Sequence, residues 1–375
     1  MQVLARAQEL EDEGHRIVHL EVGEPDFATA PPIVQAGQAA LAQGQTKYTV
    51  ATGIPPLRDA IAAHYAEFGV QVAPERIIVT AGASGGLALL SALLLNPEDE
   101  LLITDPGYPC NEVFTRLVGA RPVRVPVNAN QGFQPSAADI QAQFSDTTRG
   151  VLLASPANPT GTLLSAEALG EIAATVRAAG KFLILDEIYQ GITWNEGYRT
   201  GLAVADDIYV LNSFSKFFGM TGWRLGWVVV PPGAIEPMTK LAQNLFISPS
   251  TIAQYAALAG FSADAMSIHE ARAEEFAQRC EVLSEGLRAM GFHIPVQPQG
   301  AFYLYVDVSH TNLDSRTFCW RLLDEFKVAT TPGEDFGEHM SDRYVRMAFT
   351  TDMASIRLGL ERIEQALDSW GVKRV

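Results

Sequence analysis

Between residues 76 and 231 the chain alternates short apolar runs with longer stretches of helical spacing, and this alternation leaves few folds open. The runs are "RIIVTAG" (76–82), "ELLITDP" (100–106), "RPVRVPV" (121–127), "GVLLASP" (150–156), "KFLILDEIY" (181–189), "DIYVLNSFS" (207–215) and "LGWVVVP" (225–231). Several are apolar without alternation, the pattern of strands buried on both faces. Helical stretches at 84–95 and 165–179 fit between some of them. The pattern predicts an α/β fold with a mainly parallel, seven-stranded sheet flanked by helices. Residues 2–13 carry Val3, Leu4, Ala7 and Leu10 at helical spacing, and 57–68 repeat the pattern. "RIVHLEVG" (16–23) reads as a short strand. After residue 260 the texture changes. A long helix (about 264–290), "GAFYLYVDV" (300–308), a helix at 315–326, "VRMAFT" (345–350) and a last helix (about 353–369) predict a smaller α+β domain. A chain of 375 residues exceeds one ordinary core. The expected division is a large domain at 30–262 and a small one built from 1–29 plus 263–375.

Parallel sheets of this kind bind ligands beyond the carboxyl ends of their strands. Five of the predicted strands end in polar or glycine-rich tails: "TAGASGG" (80–86), "DPGYP" (105–109), "SPANPTG" (155–161), "LDEIYQG" (185–191) and "NSFSK" (212–216). These tails are expected to meet in one crevice. Each residue alone has an ordinary reading. Asp186 could cap a helix, and "NPTG" could be a turn. Tyr108 and Tyr189 could be rim aromatics, and Arg346 could face solvent from a strand. Lys216, set among Phe214, Phe217, Phe218 and Met220, could snorkel.

Together the residues fit one chemistry. A poorly solvated lysine amine loses its proton more easily and can form a Schiff base with a carbonyl. Pyridoxal phosphate uses such a lysine. It also needs a carboxylate at its pyridinium nitrogen, donors to its phenolic oxygen and an anion site for its phosphate. Lys216, Asp186, Asn158 with Tyr189, and Ser213, Ser215 and Arg224 with the 82–86 segment can supply these. The planar fork of Arg346 suits a substrate α-carboxylate.

The ordered motifs "KYT" (47–49), "PGYP" (106–109), "NPTG" (158–161), "DEIY" (186–189) and "SFSKFFGMTGWRLGW" (213–227), between "LEVGEPDF" (20–27) and "VRMAF" (345–349), resemble those of the fold-type I, pyridoxal-phosphate-dependent aminotransferases, class I/II, of the aspartate aminotransferase superfamily. The resemblance spans nearly the whole chain. It implies the PLP-transferase fold and an enzyme that moves the amino group of an L-amino acid to a 2-oxo acid by a ping-pong mechanism. It also implies residue roles. Lys216 matches the Schiff-base lysine that carries the catalytic proton, and Asp186 the partner of the pyridinium nitrogen. Asn158 and Tyr189 match the donors to the phenolic oxygen, and Tyr108 the aromatic stacked on the ring. Ala83, Ser84, Ser213, Ser215 and Arg224 match phosphate contacts. Arg346 and Asn158 match α-carboxylate binders, with Gly23 a backbone contact beside them. Tyr48 matches a tyrosine that reaches the phosphate of the neighbouring subunit, which implies a homodimer with composite sites.

The sequence departs from the family pattern in two places. Ser84 stands where an aspartate-specific branch has a lysine, which argues against strict dicarboxylate specificity. Family members also usually begin some tens of residues earlier, with a segment that embraces the partner. A carbon–sulfur lyase of the same fold is the alternative, because it shares the same lysine, aspartate and arginine. A dinucleotide-binding reading of "TAGASGG" leaves Lys216 without a task.

Composition narrows the partners. A net charge of −16 argues against nucleic acid. Cys110, Cys280 and Cys319 show neither disulfide nor metal-site spacing, so no metal is expected. The longest apolar stretch, around 86–95, is shorter than the about 20 residues that a membrane span needs. No signal-peptide layout opens the chain, so a cytoplasmic enzyme is expected.

Overall fold

The computed structural model describes residues 2–194 and 199–372. Residue 1 and residues 373–375, the outer limits of the expected small domain, lie outside them. Among the described residues twelve strands form three sheets. They are β1 (Val18–His19), β2 (Ile77–Thr80), β3 (Glu100–Asp105), β4 (Arg121–Pro126), β5 (Thr148–Ala154), β6 (Phe182–Asp186), β7 (Tyr209–Ser213), β8 (Gly226–Val229), β9 (Tyr303–Asp307), β10 (Val328–Ala329), β11 (Thr331–Pro332) and β12 (Tyr344–Ala348).

The main sheet has seven strands in the order β2-β8-β7-β6-β5-β3-β4. Five neighbouring strands are parallel, whereas β8 runs antiparallel to both β2 and β7. Each of the seven apolar runs contributes one strand. The reversal of β8 has a physical source. A parallel partner needs a crossover that returns across the sheet, but residues 214–225 turn directly from β7 into β8. The end of β7 and the start of β8 therefore share one edge, with Ser213 opposite Gly226. That edge is also where β6 ends in Asp186, opposite Ala154 of β5.

Both faces of this sheet are covered. Leu102, Val151, Leu183, Leu185 and Val210 face one core. Leu101, Ile103, Leu152, Ile184 and Leu211 face the other. Side chains still alternate between faces with period two, but both faces are apolar, so the sequence shows no alternation. The aromatic content of 212–227 belongs to the first core. Phe214, Phe218 and Trp227 are fully buried or nearly so. The Phe214 and Trp227 ring centroids lie 4.9 Å apart, and Trp227 Nε1 donates to the Tyr65 hydroxyl at 3.1 Å.

The helix Gly82–Leu94 packs on β7 and β8. The helix expected from residue 84 thus starts two residues earlier, inside the glycine-rich tail. Gly86 permits this approach: a Cβ there would lie 2.5 Å from Leu211 Cδ1 and 2.9 Å from Val228 Cγ2.

The remaining sheets gather the two ends of the chain. β9, β12 and β11 form an antiparallel sheet, and β1 pairs in parallel with β10. The Ala348 N–H donates to the Leu20 carbonyl at 2.6 Å, which ties residues 20–24 alongside β12. The helix Gln2–Asp12 packs on Ser315–Phe326 through Val3, Ala7, Leu10 and Leu323. Asp352 caps the last helix, Met353–Trp370, by accepting from the Ser355 N–H at 2.9 Å, and Gly371 ends it in the left-handed region at φ 69°.

Gly86→Ala is expected to destabilise the fold by about 1–3 kcal/mol through overpacking, despite alanine's higher helix propensity. A urea midpoint equal to or above that of the parent protein would show that the helix can retreat from the sheet at no cost.

Candidate active site

The strand tails converge as expected. A cavity of about 500 Å³ opens at the carboxyl edge of the main sheet. Ala83 and Ser84 line it from the helix start after β2, Tyr108 from beyond β3, and Asn158 from beyond β5. Asp186 and Tyr189 come from the end of β6, and Ser213, Ser215, Lys216 and Arg224 from the turn between β7 and β8. Gly23 and Arg346 close it from the side of β1 and β12. Tyr48 does not line this cavity. Its side chain is 79% exposed on the outer surface.

Lys216 Nζ donates to the Gly23 carbonyl at 2.7 Å and lies 5.7 Å from the Phe302 ring centre. Burial pulls this amine down to about 8. Glu24 opposes the change, and the positive charges of Arg346 and Arg224 reinforce it. Asp186 is 5% exposed, and burial pushes its carboxyl up to about 6. The Ile188 N–H, donating to Asp186 Oδ1 at 3.0 Å, and the Lys216 charge pull the other way. Asp186 thus makes the local turn contact expected of a capping residue and also presents a poorly solvated carboxyl to the cavity. A cation placed against it would recover the cost of its burial. Glu187 does not line this cavity. Its Oε1 accepts from the Gly201 N–H at 2.5 Å and the Thr200 hydroxyl at 3.3 Å, and burial pushes its carboxyl up to about 8.

Arg346 is 7% exposed, so it does not face solvent. Nη1 donates to Asn158 Oδ1 at 3.0 Å, and Nη2 to the Glu21 carbonyl at 2.5 Å and Thr331 Oγ1 at 3.4 Å. Its Nε–H has no partner. The guanidinium sits 4.3 Å from the Tyr303 ring centre and 4.7 Å from that of Phe336. These contacts hold a charged fork with a donor still unused, as a site for a carboxylate requires. The bond from Arg346 also occupies the Asn158 oxygen, which leaves the amide N–H groups as its donors.

Arg224 lies at the other end. Its backbone takes a left-handed φ of 54°. Nη1 donates to the Thr221 carbonyl at 2.9 Å and Ser215 Oγ at 3.5 Å. Gly82, at φ 71°, lets the guanidinium come close, since a Cβ there would lie 2.5 Å from Arg224 Nη2. The N–H groups of Gly82, Ala83 and Ser84 precede the first intrahelical bond, from Gly85 to Ala81 at 3.3 Å. A helix N-terminus, an arginine and the hydroxyls of Ser213 and Ser215 make an anion site. This donor set fits a phosphate, and the buried carboxyl, the low-pKa amine and the Asn158/Tyr189 donors fit the rest of pyridoxal phosphate.

Sequence reasoning missed several lining residues: Val22, Glu24, Leu87, Ile188, Thr221 and Tyr303. Tyr303 matters most, because its hydroxyl lies 2.9 Å from that of Tyr189. The run "GAFYLYVDV" identified its strand. Nothing in that run indicated which face would meet the site.

A family model described as "Aminotransferase class I and II" matches residues 15–363. The chain is 37% identical to a valine–pyruvate aminotransferase of Mycobacterium tuberculosis, over 94% of this chain and 92% of that protein. The crystal structure of an aminotransferase from Mycobacterium tuberculosis superposes with a TM-score of 0.94 at 36% identity, covering 98% of this chain and 96% of that one. The structure of aspartate aminotransferase from Thermus thermophilus with maleate gives a TM-score of 0.92 at 34% identity, with the same coverage.

In the ligand-free protein the Lys216 amine is expected to titrate with a midpoint near 8, against about 10.4 for a free lysine. Competitive acylation across pH, read by mass spectrometry of the Lys216 peptide, measures it. A midpoint above about 10 would mean that water reaches the amine freely.

Proposed function

This chain belongs to the aminotransferase class I and II family, and from that premise we propose how its own residues divide the work. The protein is a pyridoxal-phosphate-dependent aminotransferase, which transfers the amino group of an amino acid to a 2-oxo acid. When bound, pyridoxal phosphate supplies an electron sink for the pair left on the substrate α-carbon as its proton departs.

One observation carries the assignment of residues. A single cavity joins an amine near pKa 8, a buried carboxyl and two arginine forks. Lys216 holds the cofactor through Nζ. The same nitrogen, which burial brings to about 8 and so within reach of its neutral form, would take the substrate α-proton and return it. Asp186 pairs with the pyridinium nitrogen and so keeps its charge despite burial. Asn158 and Tyr189 donate to the phenolic oxygen, and Tyr108 covers the ring. Arg224, Ser213, Ser215 and the N–H groups of Ala83 and Ser84 hold the phosphate. Arg346 takes the substrate α-carboxylate, trading its bond to the Glu21 carbonyl for one to a charged acceptor, beside Gly23.

We place the work in two domains, 30–262 and 1–29 plus 263–375, and in a cytoplasmic homodimer. No helix among the described residues is long and apolar enough to cross a membrane. The dimer reading is supported by the exposed apolar side chains of Tyr48, Val50, Leu245, Phe246 and Ile247. The Thr251 hydroxyl donates to the Lys47 carbonyl at 2.7 Å and Gln254 Nε2 to Thr49 Oγ1 at 3.1 Å. These bonds hold the Tyr48 segment outward, where it can reach a partner's phosphate. Mixing Lys216→Ala with Tyr48→Ala subunits should restore activity that neither variant reaches alone. No gain on mixing would place Tyr48 outside any active site.

A panel of amino acids added singly, without an acceptor, tests the central reading. Each accepted donor should convert the bound cofactor stoichiometrically to its aminated form and yield one 2-oxo acid per site. Lys216→Ala should abolish the conversion, and Arg346→Ala should raise KM for amino acids by about a hundredfold, as expected for loss of a charge-assisted pair worth 2–5 kcal/mol. Catalytic release of ammonia would point to a lyase instead. Full conversion by Lys216→Ala would refute the assigned role.

A further inference from the structure

Tyr303 begins β9, pairs with Ala348 of β12 and is 1% exposed. Its hydroxyl lies 2.9 Å from the Tyr189 hydroxyl, and the two rings meet edge to face with centroids 5.7 Å apart. The Arg346 guanidinium rests 4.3 Å from its ring centre. Gly23 closes the remaining side: a Cβ there would lie 2.1 Å from the Tyr303 hydroxyl. The side chain is therefore fixed in place while touching two groups that the preceding section assigns to cofactor and substrate.

Two hydroxyls that share one bond have two possible directions. If Tyr189 donates to Tyr303, it cannot donate into the cavity. If Tyr303 donates to Tyr189, the Tyr189 proton is free for a ligand oxygen, and the chain of two bonds strengthens each. An electron-rich oxygen in the cavity selects the second direction. Burial keeps Tyr303 protonated, so it remains a donor. On its other side, a guanidinium over an aromatic face is attracted to it, which favours one placement of the fork.

We propose that Tyr303 is a positioning residue serving two groups at once: its hydroxyl orients the Tyr189 hydroxyl toward the cofactor's phenolic oxygen, and its ring sets the plane of the Arg346 fork. The proposal rests on the roles given above to Tyr189 and Arg346. It makes the two functions separable by substitution. Tyr303→Phe removes the hydroxyl and keeps the ring. Tyr303→Leu removes both.

The test uses the pyridoxal-phosphate-loaded enzyme and two readouts, the pH titration of the cofactor absorption and the kcat and KM for an accepted amino acid. Tyr303→Phe should move the titration midpoint in the same direction as Tyr189→Phe, but less far. It should lower kcat about three- to tenfold, the worth of one neutral hydrogen bond, with KM nearly unchanged. Tyr303→Leu should show the same midpoint as Tyr303→Phe and a further rise in KM of about three- to thirtyfold, the range of a cation–π contact. A Tyr303→Phe titration that coincides with the parent while Tyr189→Phe shifts would overturn the hydroxyl role. A Tyr303→Leu enzyme with parental KM, while Arg346→Ala raises it, would overturn the ring role. If neither Tyr189→Phe nor Arg346→Ala has its effect, the site reading itself fails.

Discussion

A lysine amine becomes a usable base near neutral pH only where water is kept from it, and the structure around Lys216 is arranged to do that. Phe214, Phe217 and Phe218 flank it in sequence and are buried to 9% exposure or less, so its backbone is anchored in the first core rather than on a surface loop. Phe302 covers it from the second group of sheets. The same burial raises the cost of every charge nearby. Asp186 is pushed toward its neutral form, and two arginines are held at the cavity ends. Perturbed groups gathered in one cleft are typical of a site where a ligand relieves the desolvation.

Residues 21–23 hold two of the cavity's three cations. The Gly23 carbonyl accepts from Lys216, and the Glu21 carbonyl accepts from Arg346. A buried cation without any acceptor would be far costlier. Both bonds are to backbone carbonyls, so a charged ligand can replace them for a net gain. The segment itself is held by the Ala348 bond to Leu20 and by the Thr350 hydroxyl donating to the Val22 carbonyl at 2.8 Å. The chain's first strand and its last sheet thus complete a site whose remaining groups come from the main sheet.

Much of this was legible in the residues. Seven apolar runs became seven strands, and several show no alternation because they are buried on both faces. Tails that follow those runs met at one edge because parallel strands put their carboxyl ends together. Other features were not legible. "DEIY" pointed to Asp186 but said nothing of Glu187, which the fold turns away from the cavity toward Thr200 and Gly201. "TAGASGG" was expected to serve the phosphate site as one segment. Its glycines divide the work differently: Gly82 admits Arg224, whereas Gly86 admits the sheet. Arg346 was singled out as a fork for a carboxylate, but its covering rings, Tyr303 and Phe336, were not, because they lie 43 and 10 residues away in sequence.

The sequence by itself determined which elements form and which residue types the site contains. Those follow from local periodicity, from the turn chemistry at strand ends and from the rarity of a lone lysine among phenylalanines. Tertiary structure decided which atoms are free to act. Whether a carboxyl is solvated, whether a guanidinium keeps an unused N–H, and which of two hydroxyls donates to the other depend on groups brought together from distant parts of the chain. Tyr189 and Tyr303 are separated by 114 positions, and no local pattern couples them. Their 2.9 Å contact exists because β9 brings Tyr303 between Gly23 and Arg346 and against Tyr189.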